Sequence, residues 1–94
     1  MDNLATGQVA ITAVKQRGQR IWLLRKQVLG FSRSIFCKRN NIPTNTYRNW
    51  EEGRGGGIKA IHAAKLAGAF QKEGIDISAT WILDGIGPVP AALE

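Results

Sequence analysis

The sequence predicts an all-α fold, a compact bundle of five short helices preceded by an N-terminal arm. Three observations carry this reading. Apolar residues recur at helical spacing from Arg17 onward, each periodic stretch ends on a Gly, Asn or Pro signal, and no strand is needed after residue 16. At 94 residues the chain allows one small domain. Its 44% hydrophobic content against 21% charged residues is too apolar for a disordered polycation, so a packed core with a basic surface is expected.

Residues 1–16 read as a partly flexible arm. Val9, Ile11 and Ala13 alternate there with Ala10, Thr12 and Val14, and neither helical nor strand periodicity prevails. Helix one spans Arg17 to Val28, with Ile21, Leu24 and Val28 on one face. Trp22 lies off that stripe, free to pack against the arm or a partner subunit. Gly30 releases the chain, and Ser32 offers a hydroxyl cap for a second helix running to about Arg39, with Ile35 and Phe36 expected to be buried.

The turn Asn40-Asn41-Ile42-Pro43 follows, because Asn tolerates the left-handed backbone and Pro43 suits the first position of a new helix. Helix three then extends to about Glu51. Its period turns Tyr47 and Trp50 inward and leaves Thr44, Asn45, Arg48 and Asn49 facing out. Gly53 to Gly57 form a loop, since each glycine costs about 1 kcal/mol relative to alanine inside a helix.

Helix four runs from about Ile58 to Lys72, offering Ile61, Ala64, Leu66, Ala69 and Phe70 to the core before Gly74 stops it. Ser78 caps a fifth helix holding Trp81 and Leu83, ended by Gly85, Gly87, Pro88 and Pro90. The domain therefore comprises residues 17–87, and residues 88–94 form a C-terminal tail.

Charge is unevenly distributed. Nine basic residues and no acid lie between Asn3 and Trp50, so residues 1–50 carry net +8 and residues 51–94 carry −2. A small domain with its cationic charge in one half has an electrostatic face, and nucleic acid or an anionic membrane is the usual partner of such a face. Two short helices joined by a tight turn, the second presenting polar side chains, have the geometry of a helix-turn-helix that lays a recognition helix in a major groove.

The stretch from Arg20 to Gly85 resembles the lambda-repressor-like, Cro-type (XRE family) helix-turn-helix domain. The segment Ile42-Pro43-Thr44-Asn45-Thr46-Tyr47-Arg48-Asn49-Trp50-Glu51-Glu52-Gly53 is similar to that family's recognition-helix pattern. Supporting matches are Arg20-Ile21 and Leu24-Arg25, Gly30-Phe31-Ser32, Lys65-Leu66-Ala67 and Trp81-Ile82-Leu83-Asp84-Gly85. The chain departs from the pattern in lacking the usual Gln after the cap of helix two. Cys37 also stands where the family has Ala, Asn41 replaces the turn glycine, and Pro43 replaces the hydroxyl cap of helix three.

The resemblance implies a lambda-repressor-like bundle with helices two and three as the helix-turn-helix. It further implies that Thr44, Asn45, Arg48 and Asn49 read bases. Arg can bond bidentately to guanine, Asn to adenine, and a Thr methyl can touch thymine, which agrees with that assignment. Phosphate contacts are expected from Ser32, Arg33, Thr46, Arg54 and Lys59. Arg33 opposes the dipole of helix two, and a phosphate there would relieve the conflict. Arg17, Arg20, Arg25 and Lys26 are assigned mainly to long-range steering.

The expected activity is that of a transcriptional regulator, a repressor, that binds a near-palindromic double-stranded operator as a homodimer. Ile82, Ile86 and Val89 are the expected dimer surface. A protein-interaction adaptor or antitoxin-like module on the same fold is the alternative, with a basic face neutralised by an acidic protein. A third reading, a peripheral membrane protein held by the basic half, suits the narrow helix-one stripe less well.

An enzyme is not expected. His62 is the only histidine, Cys37 sits at a small-residue position on a packed helix, and a thiolate pair of the two is disfavoured. No zinc spacing or nucleotide-phosphate loop is present, so no metal, cofactor or small-molecule ligand is expected. The lone Cys37, the lack of an apolar run of about 20 residues and the lack of a signal-peptide pattern point to the cytoplasm and, with DNA as partner, to the nucleoid.

Overall fold

A computed structural model describes residues 13–93 of the chain. These residues form a compact all-α bundle of five helices, with no strand among them. Helix α1 occupies residues 13–28, α-helical at first and π-helical over Leu23–Val28. It is followed by α2 (Arg33–Asn40), α3 (Thr44–Glu52), a 3-10 turn at Arg54–Gly56, α4 (Ala60–Lys72), α5 (Ala79–Asp84) and a last 3-10 turn at Ala91–Leu93.

Helix α1 reaches into the segment that the sequence assigns to the arm, because residues 13–16 are helical. The remainder of the arm, residues 1–12, lies outside the described residues. Val14 explains the early start, since its side chain packs over the glycine loop. A Cβ on Gly57, which has φ of 67°, would lie 2.7 Å from Val14 Cγ1. In the π-helical turn Leu29 N donates to Leu24 O across 3.0 Å, an i→i+5 bond. The wider turn lets two successive residues, Leu24 and Arg25, both point into the protein.

The expected caps form. Ser32 Oγ accepts from Ile35 N and Ser78 Oγ from Trp81 N, each at 3.1 Å. Asn41 ends α2 in the left-handed region with φ of 55°. Pro43 lies one position earlier than expected, as the residue before α3, and supplies no side-chain cap.

The core is a ladder of rings. Phe70 stacks on Phe36 at 4.9 Å, Phe36 meets Tyr47 at 5.3 Å, Tyr47 meets Trp50 at 6.1 Å, and Trp50 stacks on His62 at 5.1 Å. This ladder joins α2, α3 and α4. Trp50 and Trp81 are buried as expected, and Cys37 is a core residue whose thiol burial pushes upward in pKa.

Three inward assignments fail. Ile35 is 52% exposed and Ile61 76% exposed, and Ala64 is exposed as well, while Ala63 and Ala67 take the inward face of α4. Helix α4 begins at Ala60 rather than Ile58, and the fully buried Ile58 reaches the core from the loop. At the other end Pro90 is buried and Leu93 packs against the core.

Candidate nucleic-acid interface

Helix α3 has two chemically distinct faces. Tyr47 and Trp50 are buried at its back, and Thr44, Asn45, Thr46, Arg48 and Asn49 are all exposed at its front. Nothing at the front is apolar. Arg48 forms no ion pair among the described residues, which leaves its five donors available.

What anchors α3 is Glu51, whose side chain is only 2% exposed. Arg25 grips it with both ends of its guanidinium, Nε to Oε2 at 2.7 Å and Nη2 to Oε1 at 3.0 Å, and donates Nη1 to Phe31 O at 2.6 Å. Arg33 adds a third bond, Nε to Glu51 Oε1 at 2.9 Å. Burial opposes the charge on Glu51, yet the hydrogen bonds from Arg25 and its neighbours outweigh it and hold the carboxyl below its ordinary range. Arg25 is held above its own ordinary value by the same contact, against the effect of burial. The fully buried Tyr47 phenol is pushed far above its usual value by burial.

The predicted phosphate ligands have varied surroundings. Ser32 is an exposed cap, with its hydroxyl proton still free to point outward while its oxygen accepts. Arg33 pairs with Glu51 and also with Glu52 at 3.4 Å, and Arg54 pairs with the other oxygen of Glu52 at 3.0 Å. The dipole conflict inferred for Arg33 is therefore answered inside the protein, by two carboxylates from α3, and requires no external anion. Thr46, Asn49, Arg54 and Lys59 are brought together around a shallow depression of about 200 Å³ between α3, the glycine loop and α4. His62 borders it, half-buried, with a buried Nδ1 atom that has no hydrogen-bond partner among the described residues.

The arginines assigned to steering differ in how the fold holds them, and only Arg25 is both buried and closely paired with a carboxylate. Arg25 is 4% exposed. Arg17 Nε donates to Leu83 O at 2.8 Å and Arg20 Nη1 to Ile82 O at 3.0 Å, so both satisfy carbonyls left open at the end of α5. Ile82 is fully buried and lies outside any partner surface, whereas Ile86 and Val89 are exposed.

Sequence reasoning passed over Glu52 and the buried role of Glu51. A signal was available: two acids in the last turn of α3 and an arginine in the first turn of α2 each sit at the unfavourable end of a helix dipole. Opposite violations on successive helices are what an interhelical ion pair would leave in a sequence.

Among the described residues no group of three or more His, Cys, Asp or Glu is arranged to hold a metal ion, and no helix is long and apolar enough to cross a membrane. Comparison of the chain with protein-family models, curated proteins and solved structures finds no match.

Proposed function

We propose that this protein is a sequence-specific double-stranded DNA-binding regulator, a repressor of the Cro-type helix-turn-helix kind, reading the major groove with α3. The observation that carries the reading is the front of α3: Thr44, Asn45, Arg48 and Asn49 are exposed together, all able to hydrogen bond, with Arg48 unpaired among the described residues. Thr44 also reaches the buried Cys37 thiol, and each of the four side chains suits a base edge. Thr46, Arg54 and Lys59 flank that front and supply backbone contacts that fix its register.

Two copies bind a near-palindromic operator with half-sites about 34 Å apart. Exposed Ile86 and Val89 form the dimer surface. Such a regulator works in the cytoplasm, at the nucleoid.

Selection from a random duplex pool, followed by titration of the enriched and unselected duplexes at two salt concentrations, tests the reading. Enrichment of a short motif with two related half-sites, bound far more tightly than random duplex, is expected. Equal affinity for all duplexes would refute sequence-specific binding. Sedimentation showing a monomer both free and on the selected duplex would remove the dimer.

A further inference from the structure

Glu51 and Glu52 are adjacent but differ in what their partners can do. Glu51 is buried with both oxygens on Arg25, and Arg33 Nε shares its Oε1 at 2.9 Å, which leaves the Nη1 side of Arg33 for Glu52. Glu52 is 31% exposed and bridges two arginines from different elements, Arg33 at the start of α2 and Arg54 in the glycine loop, at 3.4 and 3.0 Å. Arg54 is 70% exposed. Ion pairs this open to water are weak, so an incoming anion of comparable strength can replace the carboxylate. Helix stability does not explain Glu52, because a negative charge in the last turn of α3 is disfavoured by the dipole.

We propose that Glu52 is an internal competitor for phosphate, a specificity-determining residue that masks Arg33 and Arg54 until a DNA backbone in the correct register displaces it. This inference rests on the DNA-binding reading. On a mismatched duplex α3 does not seat, the two guanidiniums stay on Glu52, and two backbone contacts are withheld from non-specific binding. On the matched duplex the base contacts of α3 bring phosphates to both arginines, and the exchange becomes favourable. Glu52 thereby widens the gap between specific and non-specific affinity without touching a base.

The test is Glu52→Gln, which keeps the size of the side chain and removes its charge, with a thermal melt to verify the fold. Binding is measured on a random-sequence duplex, on the selected duplex and on heparin across a salt series. Affinity for random duplex and heparin should rise about three- to tenfold, with a salt dependence steeper by about one phosphate per arginine released. The gain on the selected duplex should be smaller, so the specificity ratio falls. In an Arg33→Gln/Arg54→Gln background the same substitution should change affinity less than about twofold. A gain of equal size in both backgrounds would reduce Glu52 to an ordinary surface charge and overturn the proposal, as would no gain at all. If selection enriches no motif, sequence-specific recognition fails, while the cycle on random duplex and heparin still decides whether Glu52 masks the arginines.

Discussion

Gly18 of α1 lies directly against the backbone of Glu51 in α3. A Cβ at Gly18 would overlap the Glu51 carbonyl, 2.7 Å from its carbon and 3.0 Å from Trp50 O. The absence of a side chain at one position of α1 therefore sets how closely α1 approaches the end of α3. That approach brings Arg25, further along α1, within reach of the buried Glu51 carboxylate.

Substituting alanine for glycine should have opposite signs at two helical positions. Gly68 in α4 is exposed and a Cβ there meets nothing within 4 Å, so Gly68→Ala should stabilise by about 1 kcal/mol. Gly18→Ala should destabilise by about 1–3 kcal/mol or more, because the backbone of Glu51 cannot move aside as a flexible side chain would. Urea unfolding of the two variants measures both.

Neutralising Glu51 should be far more damaging than neutralising its neighbour. Glu51→Gln leaves the buried Arg25 without its counter-charge, at a cost of about 3–5 kcal/mol. Glu52→Gln breaks only partly exposed pairs and should stay within about 0.5 kcal/mol of the parent. Denaturant midpoints compared at neutral pH separate the two.

Acid should unfold the protein through Glu51 and Glu73. Both carboxyls are held below their ordinary values. In Glu51 the bonds from Arg25 overcome burial, and in Glu73 the hydrogen bonds from Arg39, at 2.7 and 2.8 Å, are the main cause. The unfolded chain therefore binds protons before the folded one as pH falls. Their stabilisation should be complete at neutral pH, decline once pH drops below the ordinary glutamate value of about 4.3, and vanish below the lowered folded values. Unfolding midpoints followed down to strong acid should show this decline, and Glu51→Gln should flatten it.

Asn41 should tolerate glycine and little else. Its φ of 55° is left-handed, and it connects α2 to the segment that starts α3. Asn41→Ala should cost about 1 kcal/mol, with Asn41→Gly neutral or mildly stabilising. Thermal melts of both variants measure this.

On the proposed operator, Arg48→Ala should lose about 1–3 kcal/mol of binding and relax preference at one base pair. Lys59→Ala should weaken all sequences alike and lower the salt slope by about one phosphate. Titrating both against the selected duplex and a single-base variant distinguishes a base contact from a backbone contact.

Much of this protein is legible locally. The caps Ser32 and Ser78, the left-handed Asn41, the glycine loop and the two faces of α3 all follow from signals within one or two turns, because backbone capping and helical periodicity act over that range. Five helices and the candidate reading face are thus written in local signals. Those signals could not assign the cations. Arg17 and Arg20 end on carbonyls of α5 more than 60 positions away, and Arg33 on carboxylates of α3. Ile35 and Ile61 were equally undecidable, since a period identifies a stripe but not which neighbouring helix covers it. Which cations are paired inside the bundle emerges from the packing of the helices, because an ion pair depends on the register between them. Here Gly18 fixes that register by letting α1 and α3 touch backbone to backbone.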